Sequence, residues 1–343
     1  MRKFWKTLRV LLTAATISIG GSALVADAQA EEKLVLMTWG GTWLDFMQKG
    51  VIAPFEKETG IKVEVVTHQN TMDGLAKLKA QKDNLDVDVW ATSAVPALLA
   101  AKEGLSQVIP KDKLSNASKL PPGLVTDEWI AWYRFFFGVA YDSSKVGKEI
   151  TEWKDLWDPV FAGKLTVPSA DNAQGKFLIL LSWLGGGDES NIDPGFKEAM
   201  ALKPNIGTFF KTDTDQDKYL QSGEVDVATF MMVGNFLPMA EDPKMKFVAP
   251  KPFVPGAADV FALMKGKNSA NAIKFIDFAL GKQAQEAFAA DAGVLPANMD
   301  AAAPASLAKY APPEDQYRYV NEKVVQDSLQ GWVDRWNREI QAQ

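Results

Sequence analysis

Strand-like and helix-like runs alternate from residue 33 onward, and that alternation restricts the chain to an α/β architecture. Lys33-Leu-Val-Leu-Met-Thr-Trp39 reads as a β-strand broken by Gly40-Gly41. Apolar residues then recur at helical spacing (Trp43, Phe46, Met47, Val51, Phe55) until Gly60. Ile61-Lys-Val-Glu-Val-Val66 predicts a second strand and 72–82 a helix; Asp86-Val-Asp-Val-Trp-Ala91 predicts a third strand, and 96–103 a helix stopped by Gly104. Strands separated by helices are joined by crossovers, which sets them parallel and covers both faces of the sheet.

An aromatic-rich, extended stretch at 129–141 separates this set from a second one. The second set predicts strands at 164–168, 226–231, 246–250 and 259–264. It also predicts a helix at 174–184 closed by Gly185-Gly186-Gly187, helices at 270–280 and 282–290, and a long terminal helix at 320–340. The terminal helix presents Val324, Leu329, Trp332, Val333 and Trp336 as its apolar face. Pro121-Pro122 and Ala301-Ala-Ala-Pro-Ala305 read as surface connections, with no tandem repeat or low-complexity segment elsewhere. Two α/β sets joined by an extended crossover predict two lobes with a cleft between them, and ligands in such sheets sit beyond the carboxyl ends of the strands.

The first thirty residues are expected to be a removable leader. Arg2, Lys3, Lys6 and Arg9 form a positive start, an apolar run extends from Val10 to Ile19, and small residues lead to Ala28-Gln29-Ala30. The apolar run is broken by Thr13, Thr16, Ser18, Gly20 and Gly21, whereas a bilayer span needs about 20 predominantly apolar residues. The chain has no cysteine, so a lipid-carrying leader is not expected and the mature protein should be free in an exported, periplasmic location. About 313 mature residues bury a core large enough to do without disulfides. The whole chain has 37 Lys+Arg and 43 Asp+Glu; removing the leader's four bases and one acid leaves 33 against 42, a net charge of −9. Nucleic-acid binding calls for a basic face, which this composition does not supply.

Several segments together carry a family likeness. Trp39-Gly40-Gly41-Thr42-Trp43 followed by 54–63 (Pro-Phe-Glu-Lys-Glu-Thr-Gly-Ile-Lys-Val) resembles the opening of solute-binding proteins of the spermidine/putrescine-binding class. The segment 138–146 (Gly-Val-Ala-Tyr-Asp-Ser-Ser-Lys-Val) resembles that class's crossover, and 271–278 with Gly293-Val-Leu-Pro-Ala-Asn298 resembles its C-terminal pattern. The order of these segments, over nearly the whole mature chain, is what marks the likeness. The resemblance implies a two-lobed type II periplasmic binding protein fold with a hinge and an interlobe cleft, and the membrane permease of an ABC importer as partner. It implies lobes discontinuous in sequence: 31–137 plus 258–300, and 138–257 plus 301–343. A monomer that closes on a small polar, amine-bearing solute, polyamine or amino acid-like, is the corresponding function, with no cofactor and no catalysis.

Six places are candidates for ligand contact. In the loop Trp39-Gly40-Gly41-Thr42, glycines let the backbone approach a ligand, helix-start N–H groups offer donors and Trp39 offers a flat face; a plain strand-to-helix turn with core tryptophans is the alternative. Thr92 and Ser93 end the third strand with small hydroxyls, suited to a ligand or to a helix cap. Arg134, within Trp132-Tyr-Arg-Phe-Phe-Phe137, has the fork geometry for a carboxylate, or pairs with an acid of the protein. Asp171 and Asn172 precede a helix; the polyamine binders carry acids here, which an ungapped alignment sets at Asn172 and Gly175, and capping is the alternative. Asn235 follows a strand end as a ligand amide or a turn residue. Asp259 matches an acid of the polyamine binders and suits an amine, although the aromatic that class places two residues earlier is Ala257 here.

Other chemistries find less support. Ferric-ion receptors use paired tyrosines with a histidine or an acid; the six tyrosines are never adjacent, and the single histidine, His68, ends the second strand as an expected surface or edge residue. Nucleophilic catalysis calls for Ser or Cys beside a base, and the chain has no Cys and no G-x-S-x-G. A carboxylate-dependent enzyme stays open in principle, but no spacing singles out a pair. Gly185-Gly186-Gly187-Asp188 lacks the Lys and Ser/Thr of a phosphate loop and reads as a helix stop. A chemoreceptor-coupled sensor would use the same fold and closure.

Overall fold

A computed structural model describes residues 32–342; the leader assigned to 1–30 lies outside the described residues. The strands are β1 (Lys33–Trp39), β2 (Lys62–His68), β3 (Val89–Ser93), β4 (Ile130–Asp142), β5 (Leu165–Pro168), β6 (Ile206–Phe210), β7 (Val227–Met232), β8 (Met245–Val248), β9 (Val254–Leu263), β10 (Leu295–Pro296) and β11 (Tyr317–Tyr319). They run in the order β2-β1-β3-β9-β4-β7-β5-β6, with β8 and β10 on β4 and β11 on β9.

The crossover expected at 129–141 is a single 13-residue strand, roughly 40 Å long at strand rise. Its first half pairs with β9, and its second half with β7 and β8. β4 therefore belongs to two sheets. The changeover falls between Phe136, the last residue paired with β9, and Phe137, the first paired with β7, and the pairing with β7 slips just beyond it, between Gly138 and Val139. Opposite the slip, Phe230 takes a left-handed φ of 57° and its ring stacks on Phe137 at 4.0 Å and 11°. A bulge that re-aims a strand is a recurrent device where sheets change direction.

Parallel pairing holds within each set, β2-β1-β3 and β6-β5-β7. The central pair departs from the all-parallel expectation: β9 is antiparallel to both β3 and β4, and β4 is antiparallel to β7. No crossover helix joins β9 to β3, so nothing forces the pair parallel. The predicted helix from 42 to 60 is continuous, with a π turn at Gln48–Ile52 between Thr42–Met47 and Ala53–Thr59.

The chain builds two main cores. One gathers β1, β3, the first half of β4, the end of β9 and the helices Ser269–Ala279 and Lys282–Ala292 around Trp90, Trp132, Phe261 and Phe275. The other gathers the second half of β4, β5, β7 and the helix Lys176–Leu184 around Trp153, Phe177, Phe196 and Phe230. The terminal helix (Glu322–Trp336, then a π turn) joins this second core through Val325, Trp332, Trp336 and Ile340. Val325, not Val324, is the buried member of its first turn. The helix Asp213–Ser222 has no apolar stripe to announce it, burying Gln216 and Leu220; its start is set by a capping box between Thr212 and Asp215.

Gly138 tolerates no side chain. A Cβ there would lie 2.4 Å from the carbonyl oxygen of Val248 and 2.5 Å from the Phe247 ring. Gly138→Ala is expected to cost about 1–3 kcal/mol through this overpacking. A urea midpoint equal to the wild type's would show that the strand changeover is not so tightly built.

Candidate functional site

A cavity of about 1150 Å³ opens between the two cores. Ser93, Asp259 and Tyr133 line its floor side by side, because β3, β9 and β4 are adjacent and hold these residues in register: Ser93 opposite Asp259, and Tyr133 opposite Asp259. The Ser93 hydroxyl donates to Asp259 Oδ1 at 2.9 Å, and the Tyr133 hydroxyl donates to Oδ2. Part of Asp259 stays open to the cavity while its carboxyl sits deep in protein. Burial raises its pKa to about 6 against the pull of its two hydroxyl donors and of Lys176, with Glu322 adding to the rise. Burial, and then the neighbouring Asp259, hold the Tyr133 phenol well above its ordinary value. Both donors are neutral, so among the described residues this carboxylate has no direct cationic partner.

The walls are aromatic. Strand alternation sends Tyr133, Phe135 and Phe137 to the cleft, joined by Trp39 and Trp43 from the first βα turn. Trp43 lies 5.2 Å from Tyr133, centroid to centroid, and Trp39 meets His68 edge-on at 5.2 Å. His68 is 3% exposed, which corrects the surface half of its surface-or-edge assignment; the edge half holds, since β2 is the outermost strand of the sheet. It ends β2, whose carboxyl end faces the cleft. Burial lowers its pKa, and its Nε2 lies 3.3 Å from the Ala91 carbonyl, an acceptor.

The opposite wall comes from the second core. Ala173, Gln174 and Gly175 have φ of 49°, 56° and 76°, three successive left-handed residues, two of them non-glycine. The two non-glycine residues, Ala173 and Gln174, cost on the order of 1–3 kcal/mol each and persist where surroundings over-determine them. A Cβ at Gly175 would lie 3.2 Å from Leu329 and 3.4 Å from Trp332, so the terminal helix closes over this turn. Lys176 follows, with its Nζ 3.1 Å from Glu322 Oε1.

Of the residues proposed from sequence, Trp39, Gly40, Gly41, Ser93, Asn172 and Asp259 line the cavity. Thr42, Thr92, Arg134, Asp171 and Asn235 stand outside that lining. Thr92 points to the opposite face of β3 from Ser93 and is fully buried. Asp171 accepts the Ser169 hydroxyl at 2.8 Å, Thr42 is an exposed helix start, and Asn235 sits half-buried in the short helix Val233–Phe236. Arg134 shares its face with Phe136, away from the cleft, where both meet Tyr317. Its guanidinium donates to Glu314 Oε1 at 2.6 Å, to the Pro296 carbonyl at 2.9 Å and to the Tyr319 hydroxyl at 3.2 Å. It pins β4 to β10 and β11 instead of waiting for a ligand. The aromatic segment around Arg134, open to reading as hinge core or cleft wall, supplies Tyr133, Phe135 and Phe137 to the lining, whereas His68, Gln174, Lys176 and Glu322 enter it unannounced. Lys176 had a signal: a lone cation opening a helix that continues Phe-Leu-Ile-Leu-Leu must find a partner inside.

A paired α/β body with a central cleft, crossed by strands shared between its halves, defines a two-lobed receptor that binds a solute between lobes. Residues 98–323 match the bacterial extracellular solute-binding protein family, to which the chain belongs. It is 30% identical over 290 residues to the spermidine/putrescine-binding periplasmic protein of Salmonella typhimurium, covering 80% of each chain. It is 25% identical over 288 residues to the gamma-aminobutyric acid-binding protein of Pseudomonas aeruginosa, covering 79% of each. Among solved structures, an ABC transporter protein from Clostridium perfringens superposes with a TM-score of 0.81 at 26% identity, over 90% of this chain and 99% of that one. The protein is a solute-binding protein with a two-lobed α/β fold.

Two substitutions check the site's construction. Arg134→Met strands the Pro296 carbonyl and the Tyr319 hydroxyl and is expected to cost about 2 kcal/mol of stability, read by urea denaturation; an unchanged midpoint would remove the structural role assigned to this arginine. Asp259 has a folded-state pKa of about 6 against an ordinary value of 3.8. The folded protein thus holds this proton more tightly, and the ligand-free protein loses stability as pH rises through that window. Asp259→Asn escapes the loss and is expected to be more stable than wild type at pH 7 by on the order of 2 kcal/mol, with the gap closing below about pH 4. Denaturation curves from pH 4 to 8 that stay parallel would refute it.

Proposed function

We propose that the protein captures a small amine-bearing organic solute in this cleft by hinge closure and delivers it to the membrane permease of an ABC importer. The observation that carries the reading is Asp259: a buried carboxylate held by two neutral hydroxyls among aromatic faces. An ammonium ion supplies the missing charge, and aromatic rings favour cations at their faces. The names of the polyamine- and gamma-aminobutyric acid-binding relatives support an amine in both cases.

In this reading the lobes are 31–137 plus 258–300 and 138–257 plus 301–343, and the chain acts as a periplasmic monomer after loss of its leader, without lipid and without catalysis. The partition of the two main cores supports the division. Ligand first meets one lobe; closure follows because the contacts of both lobes are made together in the closed state.

Calorimetry of the mature protein with putrescine, spermidine, γ-aminobutyrate and n-butylamine tests the reading. At least one amine should bind, and Asp259→Asn should weaken it by about 2–5 kcal/mol. Below about pH 6 protonation of Asp259 removes the attraction, and the dissociation constant should rise by up to about tenfold per pH unit. Amine affinity indifferent to both the substitution and the pH would refute the role of Asp259.

A further inference from the structure

Lys176 stands in a costly place. It opens the helix Lys176–Leu184, the end at which the helix dipole disfavours a cation, and its side chain is only 6% exposed. A buried ammonium persists only when paired. The partners are Glu322 Oε1 at 3.1 Å and Gln174 Oε1 at 3.2 Å. Glu322 is itself only 13% exposed and comes from the start of the terminal helix, so the pair joins two distant parts of the chain across the cleft wall. The left-handed turn at Ala173, Gln174 and Gly175 delivers Lys176 to that position. Lys176, Glu322 and Asp259 all line the same cavity, and the charges of the first two act on the third.

The charge on the floor follows. Lys176 and Glu322 cancel, and Asp259 leaves one net negative charge among them. The exposed rim adds one charge of each sign, Asp213 and Lys77, both open to solvent screening. We propose that Lys176 sets the charge of the ligand: by occupying Glu322 it leaves Asp259 as the one free carboxylate of the floor, so that the cleft takes a solute with a single ammonium group and discriminates against α,ω-diamines. A second ammonium entering the floor meets Lys176 rather than a carboxylate. A carboxylate at that end of the ligand meets an attractive charge instead. The inference rests on the amine reading of the cleft and narrows it.

Titration calorimetry with three probes of similar length tests it: γ-aminobutyrate and n-butylamine, with one ammonium, and putrescine, with two. Wild type should bind the better single-ammonium probe at least about tenfold more tightly than putrescine. Lys176→Gln frees Glu322 as a second carboxylate and should shift the ratio toward putrescine by at least about tenfold, whereas Lys176→Arg should keep the wild-type order. Putrescine bound as tightly as the single-ammonium probes by wild type, or a ratio unmoved in Lys176→Gln, overturns the proposal while leaving the amine reading intact. Binding of none of the three overturns the proposal, and the amine reading with it if spermidine also fails to bind. If Lys176→Gln does not fold, Glu322→Gln supplies the readout: the unpaired lysine should raise the preference for γ-aminobutyrate over n-butylamine, and an unmoved preference overturns the proposal.

Discussion

One strand holds this molecule together. β4 is shared by two sheets, and everything the cleft contains is positioned relative to it. Its first half forms a ladder with β9, which places Tyr133 against Asp259. Its second half forms ladders with β7 and β8. Because a strand's side chains alternate, one choice of parity directs Tyr133, Phe135 and Phe137 into the cavity and commits Arg134 and Phe136 to structure on the other side, while Trp132, the extra residue where the β4–β9 pairing slips, packs beside Tyr133 on Phe288. A one-residue slip would exchange binding surface for scaffold. The bulge opposite Gly138, with Phe230 forced to positive φ, lets the strand change sheets without losing its pairing.

Much of this architecture is legible in sequence. The two α/β sets, the glycine pair after β1 and the likeness to polyamine binders lead to the fold and to Trp39, Ser93 and Asp259. The misses have physical causes. β4 is apolar on both faces, so its alternation is silent and parity cannot be read; sequence therefore leaves both a ligand contact and a pairing with an acid open for Arg134, and the second is what Glu314 provides. Thr92 and Ser93 are neighbours of similar chemistry on opposite faces of one strand, and composition does not separate them. His68 terminates a strand, where exposure is the ordinary expectation, but here the strand end faces a cleft. Glu322 is 146 residues from Lys176, and a pair that remote leaves no local pattern.

The charged groups divide into two classes with different work. Exposed pairs such as Lys33–Glu64 and Lys79–Glu103 lie in water, which screens them, and contribute little. Lys176–Glu322 and Asp259 lie where water is largely excluded and where each charge is felt by the others. A cleft intended only for stability would be served as well by apolar residues of similar volume. Three ionisable groups retained there, one delivered by a strained turn, point to selection among ligands as the reason for keeping them.

The same distinction bears on how closure is governed. The terminal helix belongs to the second core, yet its outer face meets the first: Asp327 lies 3.5 Å from Lys102 and Lys323 2.9 Å from Glu128. Lys102, Asp327 and Lys323 are largely exposed, so these links are weak and break at little cost. The buried pair on the inner face of the same helix lies within one core: Lys176 and Glu322 both belong to elements of the second core. Motion of the lobes therefore need not disrupt Lys176–Glu322, while it changes the distance from that pair to Asp259 on the other side. A ligand that neutralises Asp259 and fills the aromatic space supplies differential contacts that the weak outer links do not oppose, which is the condition for a solute to set the lobe equilibrium.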